Sequence, residues 1–339
     1  MSGALAMSGV GALTARGTLP ARWSGPPPGV MGAVPLDVLP EPARGRAARA
    51  ERLTQLLLGA ALPALDAAAL LAIDGPPRPR LGAVVGTAFG CFLTNAAYQH
   101  RLAEGGMPAA SPRLFAATVS NAAAGELAIA ARLGGPSITV TAGAAAGLTA
   151  LADAADLVAQ GHADALVAAG VDAQGAALAA FVAAGGLVVR DPPGEAAGAL
   201  VVEPLAAVRA RGAHPYGLLA GWALGFEPDA HGPEGGAALA ETIGQALAQA
   251  DVAPGGLARV VAPAGTAAVD RGLRLALGDA APPDDPVRAA LGETLAAHGP
   301  LAVQHALATS AAGDVVLLVD ACASGHLAAV VVRAAEGRA

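Results

Sequence analysis

The chain contains no lysine, only two cysteines and very few aromatic residues, 3% of its 339 positions. Each scarcity excludes something. The basic residues are all arginine, and the net charge is −7. Recognition of a nucleic-acid backbone needs clustered positive charge, so no nucleic-acid partner is expected. Cys91 and Cys322 lie far apart, which rules out a disulfide framework and suits a reducing compartment. No Cys/His spacing matches a metal site, and no cofactor motif stands out, so neither a metal nor a cofactor is expected. Long apolar runs are also missing. The longest, Ala176 to Val189, is interrupted by Gly185-Gly186. It falls short of the roughly 20 residues of a spanning helix. No basic segment precedes an apolar stretch near Met1, and a cytoplasmic chain without membrane contact is expected.

What is abundant is small and apolar. Hydrophobic residues make up 54% of the chain, and alanine supplies much of that share. Alanine favours helix and lets elements pack closely. Strand-like and helix-like segments alternate along the chain, the signature of a layered α/β protein. The spacing predicts a strand over 4–13, a helix over 46–71, a strand over 81–85 and a helix over 121–133. Short strands are expected over 187–189 and 199–202. The second half predicts strands over 218–224 and 257–261, helices over 235–250 and 300–311, and a hairpin from 315–319 and 328–332. Gly25-Pro-Pro-Pro-Gly29 and Pro282-Pro-Asp-Asp-Pro286 are expected loops. Arg44, Arg46, Arg49 and Arg52 recur at roughly helical spacing, read as a solvated face rather than a dock for an acidic partner.

The most informative stretch is Ile138-Thr-Val-Thr-Ala-Gly-Ala-Ala-Ala-Gly-Leu148. It predicts a strand, a sharp turn at Gly143 and a helix N-terminus. Amide groups converge at such a turn and stabilise negative charge. A thiol placed there would be activated. The position holds Ala144 instead, and nothing between Ala142 and Leu148 can attack a carbonyl.

Pro136 to Leu148 resembles the active-site strand and turn of the β-ketoacyl synthase family, in the thiolase superfamily, with Ala144 where that family carries its acylated cysteine. Ala152 to Asp172 resembles the following helix and strand. Ala83-Val-Val-Gly-Thr-Ala-Phe-Gly90, Ala117-Thr-Val-Ser-Asn-Ala-Ala-Ala-Gly125, Ser8-Gly-Val-Gly-Ala-Leu-Thr14 and Gly194-Glu-Ala-Ala-Gly-Ala-Leu-Val-Val-Glu203 extend the likeness across most of the chain. The resemblance implies a five-layered αβαβα fold of two similar halves, residues 1–205 and 206–339.

The departures are as informative as the matches. Active members carry two histidines, one in a His-Gly-Thr motif. Val260-Val-Ala-Pro-Ala-Gly-Thr266 puts Ala264 there, and Gly292-Glu-Thr-Leu-Ala-Ala-His-Gly299 puts Glu293 at the second. Ala321-Cys-Ala-Ser-Gly325 replaces a Phe-Gly-Phe-Gly-Gly loop. Without the histidines there is no oxyanion support and no proton partner. Ala144, Ala264 and Glu293 therefore mark a vestigial site.

The resemblance then implies a catalytically silent chain-length-factor or β-subunit. It would form a heterodimer with an active ketosynthase, in a type II polyketide, aryl-polyene or fatty-acid-like synthase, and shape the acyl cavity. An acyl carrier protein is a further possible partner. The partner-facing strand maps onto Pro136 to Thr141, with Pro112 to Gly125 nearby. The alternatives are an acyl-transfer enzyme with relocated residues and a carrier-protein scaffold. For relocation, Cys322 and His326 lie four apart, Cys91 follows a Gly-rich turn, and Glu293 would serve as an acid or base if buried. The simpler account has Cys322 facing the core, His326 at a cap or in solvent, and Cys91 as buried packing. His298 and His305, seven apart, read as a solvated or satisfied structural pair.

Overall fold

A computed structural model describes residues 3–18, 35–37, 39–41, 43–186, 194–230, 235–263, 266–278 and 283–335. The strands are β1 (Leu5–Thr14), β2 (Leu81–Gly86), β3 (Ser137–Val140), β4 (Ala165–Asp172), β5 (Ala196–Pro204), β6 (Gly217–Phe226), β7 (Arg259–Val261), β8 (Val315–Ala321) and β9 (His326–Ala334). The helices are α1 (Ala43–Ala47), α2 (Arg52–Ala67), α3 (Phe92–Gly105), α4 (Pro112–Ala116), α5 (Ala122–Ala130), α6 (Ala146–Ala159), α7 (Ala176–Phe181), α8 (Leu205–Ala210), α9 (Ala237–Ala250), α10 (Ala267–Leu277), α11 (Pro286–Leu291) and α12 (His298–Thr309).

The strands run in the order β3-β2-β4-β5-β1-β6-β9-β8-β7. β2 is parallel to β3 and β4, while β5 and β1 are antiparallel to their neighbours. The second half repeats this plan: β6 and β9 are antiparallel, β9 and β8 are antiparallel, and β8 and β7 are parallel. The halves join edge to edge where Leu5 to Met7 of β1 pair with Gly217 to Leu219 of β6.

Strand alternation builds the layers, because side chains one apart face opposite sides of a sheet. In β9, Ala328, Val330 and Val332 enter a central core, while Leu327, Ala329 and Val331 enter an outer one. In β5, Leu200 and Val202 face the central core, and Ala199 and Val201 face the opposite outer core. The central core holds α6 and α12 between the two halves of the sheet. One outer layer is α2 with α5, and the other is α9 with α10. This is the five-layered thiolase-like α/β fold that the sequence implies. It also explains the uncharged helices. α6 buries Leu148, Leu151, Ala154, Ala155 and Val158 against strands of both halves, which leaves a narrow side for its two charges, Asp153 and Asp156.

Several boundaries differ from the sequence expectation. The helix expected over 46–71 is two helices, broken between Ala47 and Arg52. Gln55 stabilises the break by donating to the carbonyls of Ala47 and Ala50, both at 3.2 Å. The segment expected over 121–133 ends earlier, at Ala130, and Arg132 turns left-handed with φ 54°. α12 begins two residues earlier than expected, at His298. Residues 187–189 and the Pro-rich segment 25–29 lie outside the described residues.

The central layer depends on bare backbone. A Cβ built on Gly147 of α6 or on Gly170 of β4 would stand 2.0 Å from the Ala296 carbonyl oxygen. Gly170→Ala should therefore lower unfolding free energy by about 3 kcal/mol, read from urea melts. Gly125→Ala, on α5 with open space at its Cβ, should be neutral or stabilising by about 0.5 kcal/mol. Equal losses in the two variants would show that the close approach is not what limits the position.

Candidate functional site

β3 runs into a single 3₁₀ turn, Gly143–Ala145, and α6 starts directly after it. Gly143 has φ 56°, the left-handed conformation that glycine adopts at little cost. The strand, turn and helix N-terminus read from the sequence are therefore all present. Ala144 is half-buried in the turn and contributes only a methyl group.

The second half contains a copy of this turn. Leu295–Ala297 forms a 3₁₀ turn immediately before α12, and its first residue, Leu295, has φ 51°. The two turns touch. Two β-strand aspartates serve the start of α12. Asp172 ends β4 and Asp320 sits near the end of β8; both are fully buried. Asp172 accepts hydrogen bonds from the amides of Ala88, Phe89 and Ala296 and from the Thr87 hydroxyl, at 2.9–3.1 Å. It thereby ties the loop after β2 to the turn before α12. Burial pushes its carboxyl up to about 6, against the pull of those four donors.

Asp320 holds His298 instead. The ring Nδ1 lies 2.7 Å from Asp320 Oδ1, and Nε2 lies 3.0 Å from Asp285 Oδ1. Burial works against the imidazolium, but the two carboxylates outweigh it and raise His298 well above the usual histidine range. Asp285 is held below its ordinary value despite burial, because His298 and Arg288 face it. Asp320 is raised by burial, with Asp285 adding to the effect. His298 is thus a satisfied, deeply buried cation rather than a solvated one. The signal for it was Asp320 itself, a lone acid in Val315-Val-Leu-Leu-Val-Asp-Ala321, since an apolar strand seldom buries an acid without a partner.

The expected positions fare differently. Ala264 lies outside the described residues. Glu293 is engaged locally: its carboxylate pairs with Arg288 at 2.9 Å and accepts from the Leu295 amide at 3.0 Å. Its own carbonyl accepts from the Gly194 amide. The arginine cluster is not one solvated face. Arg52 turns inward to a bidentate pair with fully buried Glu195, while Arg46 pairs with Glu126. Cys91 is half-buried, donates to the Thr118 carbonyl at 2.7 Å and accepts from Asn95.

Cys322 departs from the simpler expectation of a core-facing thiol. It is half-buried in the turn between β8 and β9, and its Sγ packs on Gly143. A Cβ built at Gly143 would meet Cys322 Sγ at 3.1 Å. Ser324 Oγ lies 3.0 Å from that sulfur and 3.1 Å from His326 Nδ1. The sulfur and Nδ1 are 3.9 Å apart. The structure therefore gathers Cys322, Ser324 and His326 beside the Gly143–Ala145 turn. Among the described residues no helix is long and apolar enough to cross a membrane, and no acid, His and Cys grouping suits a metal ion.

Comparison with known proteins agrees with this geometry. Residues 41–207 match the model for the beta-ketoacyl synthase N-terminal domain. The chain is 30% identical over 250 residues to 3-oxoacyl-[acyl-carrier-protein] synthase 2 of Vibrio harveyi, covering 66% of this chain and 60% of that protein. It is 31% identical over 233 residues to the putative polyketide beta-ketoacyl synthase 1 of Streptomyces virginiae, covering 61% of this chain and 54% of that protein. The matched region thus spans little more than half the length of these curated relatives. Among solved structures, the ishigamide ketosynthase/chain length factor superposes with a TM-score of 0.77 at 25% identity, covering 98% of this chain and 100% of that one.

Asp172 gives the site a pH signature. Its folded value of about 6 lies above the ordinary 3.8, so between those values the folded state holds a proton that the unfolded chain releases. Its contribution to stability falls as pH rises through that window, by on the order of 3 kcal/mol in total. Asp172→Asn should be destabilised overall, because an amide cannot accept from all four donors. The difference between its stability and that of the parent should shrink as pH climbs from 4 to 6.5. A constant difference in urea melts across that range would refute the assignment.

Proposed function

We propose, from the premise that this chain belongs to the β-ketoacyl synthase family, that it is a condensation-silent, chain-length-factor-like β-subunit. It would act beside an active ketosynthase in the cytoplasm. One observation carries the reading: the nucleophile turn keeps its strand, its left-handed Gly143 and its helix N-terminus, while Ala144 supplies no nucleophile. Ala264 and Glu293 stand where active members carry histidines. Glu293 is an acid already paired with Arg288, which suits neither a carbonyl oxygen nor a departing carboxylate.

The edge of the sheet supports a partner. β3 is the outermost strand of its half, with Ser137 and Ile138 exposed. An exposed strand edge is a template for pairing with another chain. α5 packs beside β3 and exposes Ile129, and Val119 and Phe115 are exposed just before it. Apolar residues grouped at an unpaired edge suit an interface better than solvent. The short, apolar side chains of the body suit a wall for a growing acyl chain delivered by an acyl carrier protein.

Co-expression with ketosynthases from the same gene neighbourhood, followed by size-exclusion chromatography with mass detection, tests this directly. The expected result is a one-to-one complex that gains condensing activity. Ile138→Glu should weaken that complex at least tenfold, about 1.4 kcal/mol. A chain that remains alone or self-paired with every candidate would overturn the reading. A second check is internal. Ala144→Cys should gain no condensing activity, because a thiol alone lacks the two histidines that active members use on the thioester carbonyl and in decarboxylation. Measurable condensation by that single variant would contradict the assignment of Ala264 and Glu293.

A further inference from the structure

We propose that Cys322, Ser324 and His326 form a thiol site that takes an acyl group from a thioester. The site is distinct from the Ala144 position and serves exchange rather than condensation.

The geometry starts with the hairpin. The Cys322 amide donates to the His326 carbonyl at 3.1 Å, and the Gly325 amide donates to the Cys322 carbonyl at 2.9 Å. These bonds close a tight turn and hold the three side chains together. Ser324 Oγ sits between sulfur and imidazole, at 3.0 Å and 3.1 Å, and bridges a 3.9 Å gap that is long for direct proton transfer. The His326 ring is steadied by Phe226, edge to face at 5.5 Å and 88°. On its other side the sulfur rests on Gly143, at the N-terminal end of α6. A helix N-terminus favours both a thiolate and a developing oxyanion. Ser324 and Gly325 also border an open cavity of about 160 Å³, walled by Glu227, Pro228 and Asp229.

Cys91 is the built-in contrast. Its thiol is committed to the Thr118 carbonyl and to Asn95, with no imidazole among its described partners.

The chemistry balances without any further reactant. With His326 protonated on Nε2, the Cys322 thiol gives its proton through Ser324 Oγ to His326 Nδ1. The thiolate attacks the thioester carbonyl. The new carbon–sulfur bond forms as the old one breaks, and the departing thiolate takes the proton back from His326. One thioester and one thiol become another thioester and another thiol. Such an exchange is nearly isoenergetic, so the site has only to supply thiolate and orientation.

The test uses the full chain and a short acyl-N-acetylcysteamine thioester, read by intact mass and peptide mapping. The expected result is a single acyl adduct on the peptide carrying Cys322, with Cys91 unmodified. Cys322→Ala should abolish the adduct and Cys91→Ala should leave it. Ser324→Ala and His326→Ala should slow acylation at least tenfold near neutrality. The defect should shrink in strongly alkaline buffer, where hydroxide rather than a side chain takes up the thiol proton. A merely structural effect would not vanish at high pH. An adduct on Cys91, or none on the folded parent chain, would overturn the proposal, and the parent experiment stands even if a variant fails to fold. Complex formation with a ketosynthase is measured separately, so either reading can fail without the other.

Discussion

The close approach of the Ala296 carbonyl to Gly147 and Gly170 is the contact on which the rest of the molecule is built. Its oxygen lies 2.0 Å from where a side chain would begin at either glycine, so the two sites accept no larger residue without backbone movement. Three elements meet there: the start of α6, the end of β4 and the turn before α12. The approach sets the two central helices against one another and brings their entry turns into contact. The Asp172 bond to the Ala296 amide pins the same residue from its other polar group. Because both carbonyl and amide are fixed, the second turn has little freedom, and neither does the first.

Buried charge follows from that arrangement rather than adding to stability by itself. His298 lies one residue beyond the second turn, inside the central layer, where an isolated imidazolium would be prohibitive. Asp320 and Asp285 make it tolerable. Such networks often break even against apolar packing, yet removing one member leaves a bare buried charge. Their effect is positional. Asp285 caps α11 by accepting from the Arg288 amide, and through His298 it couples α11 to α12 and β8. Raised as it is by two carboxylates, His298 contributes fully below the ordinary histidine range, and the contribution falls as pH rises from there through its higher folded value.

The alternation of strand and helix made a layered α/β protein legible, while the five-layered fold itself was legible through the family resemblance. Residues 328–332 read as one strand of a hairpin, and the segment from Ala144 onward reads as a helix followed by a strand. The turn at Gly143 was equally plain. Long-range polar geometry was not. No periodicity connects Asp285 to His298 and Asp320, and helical spacing suggested a shared face for Arg46 and Arg52 where one reaches buried Glu195 and the other Glu126. The hairpin also hid its chemistry. The three residues between Cys322 and His326 say nothing of whether the side chains converge, because that depends on two backbone bonds across the turn.

The paired turns show that this backbone shape does not depend on a nucleophile. Leu295 holds a left-handed conformation that costs a non-glycine residue about 1–2 kcal/mol, and no nucleophile follows it. Chemistry therefore does not sustain that turn; packing against α6 and β4 does. The same argument applies to Gly143. Its conformation is required by the chain's passage from β3 into α6, whatever side chain stands at Ala144. The backbone amides, the sheet edge and the central layer therefore stand without a nucleophile at Ala144. A thiol from the facing hairpin, seated on Gly143, would meet the same helix terminus from the opposite side. The fold thus separates the electrostatic part of the old site, which belongs to the backbone, from the nucleophile, which belongs to whichever strand supplies it.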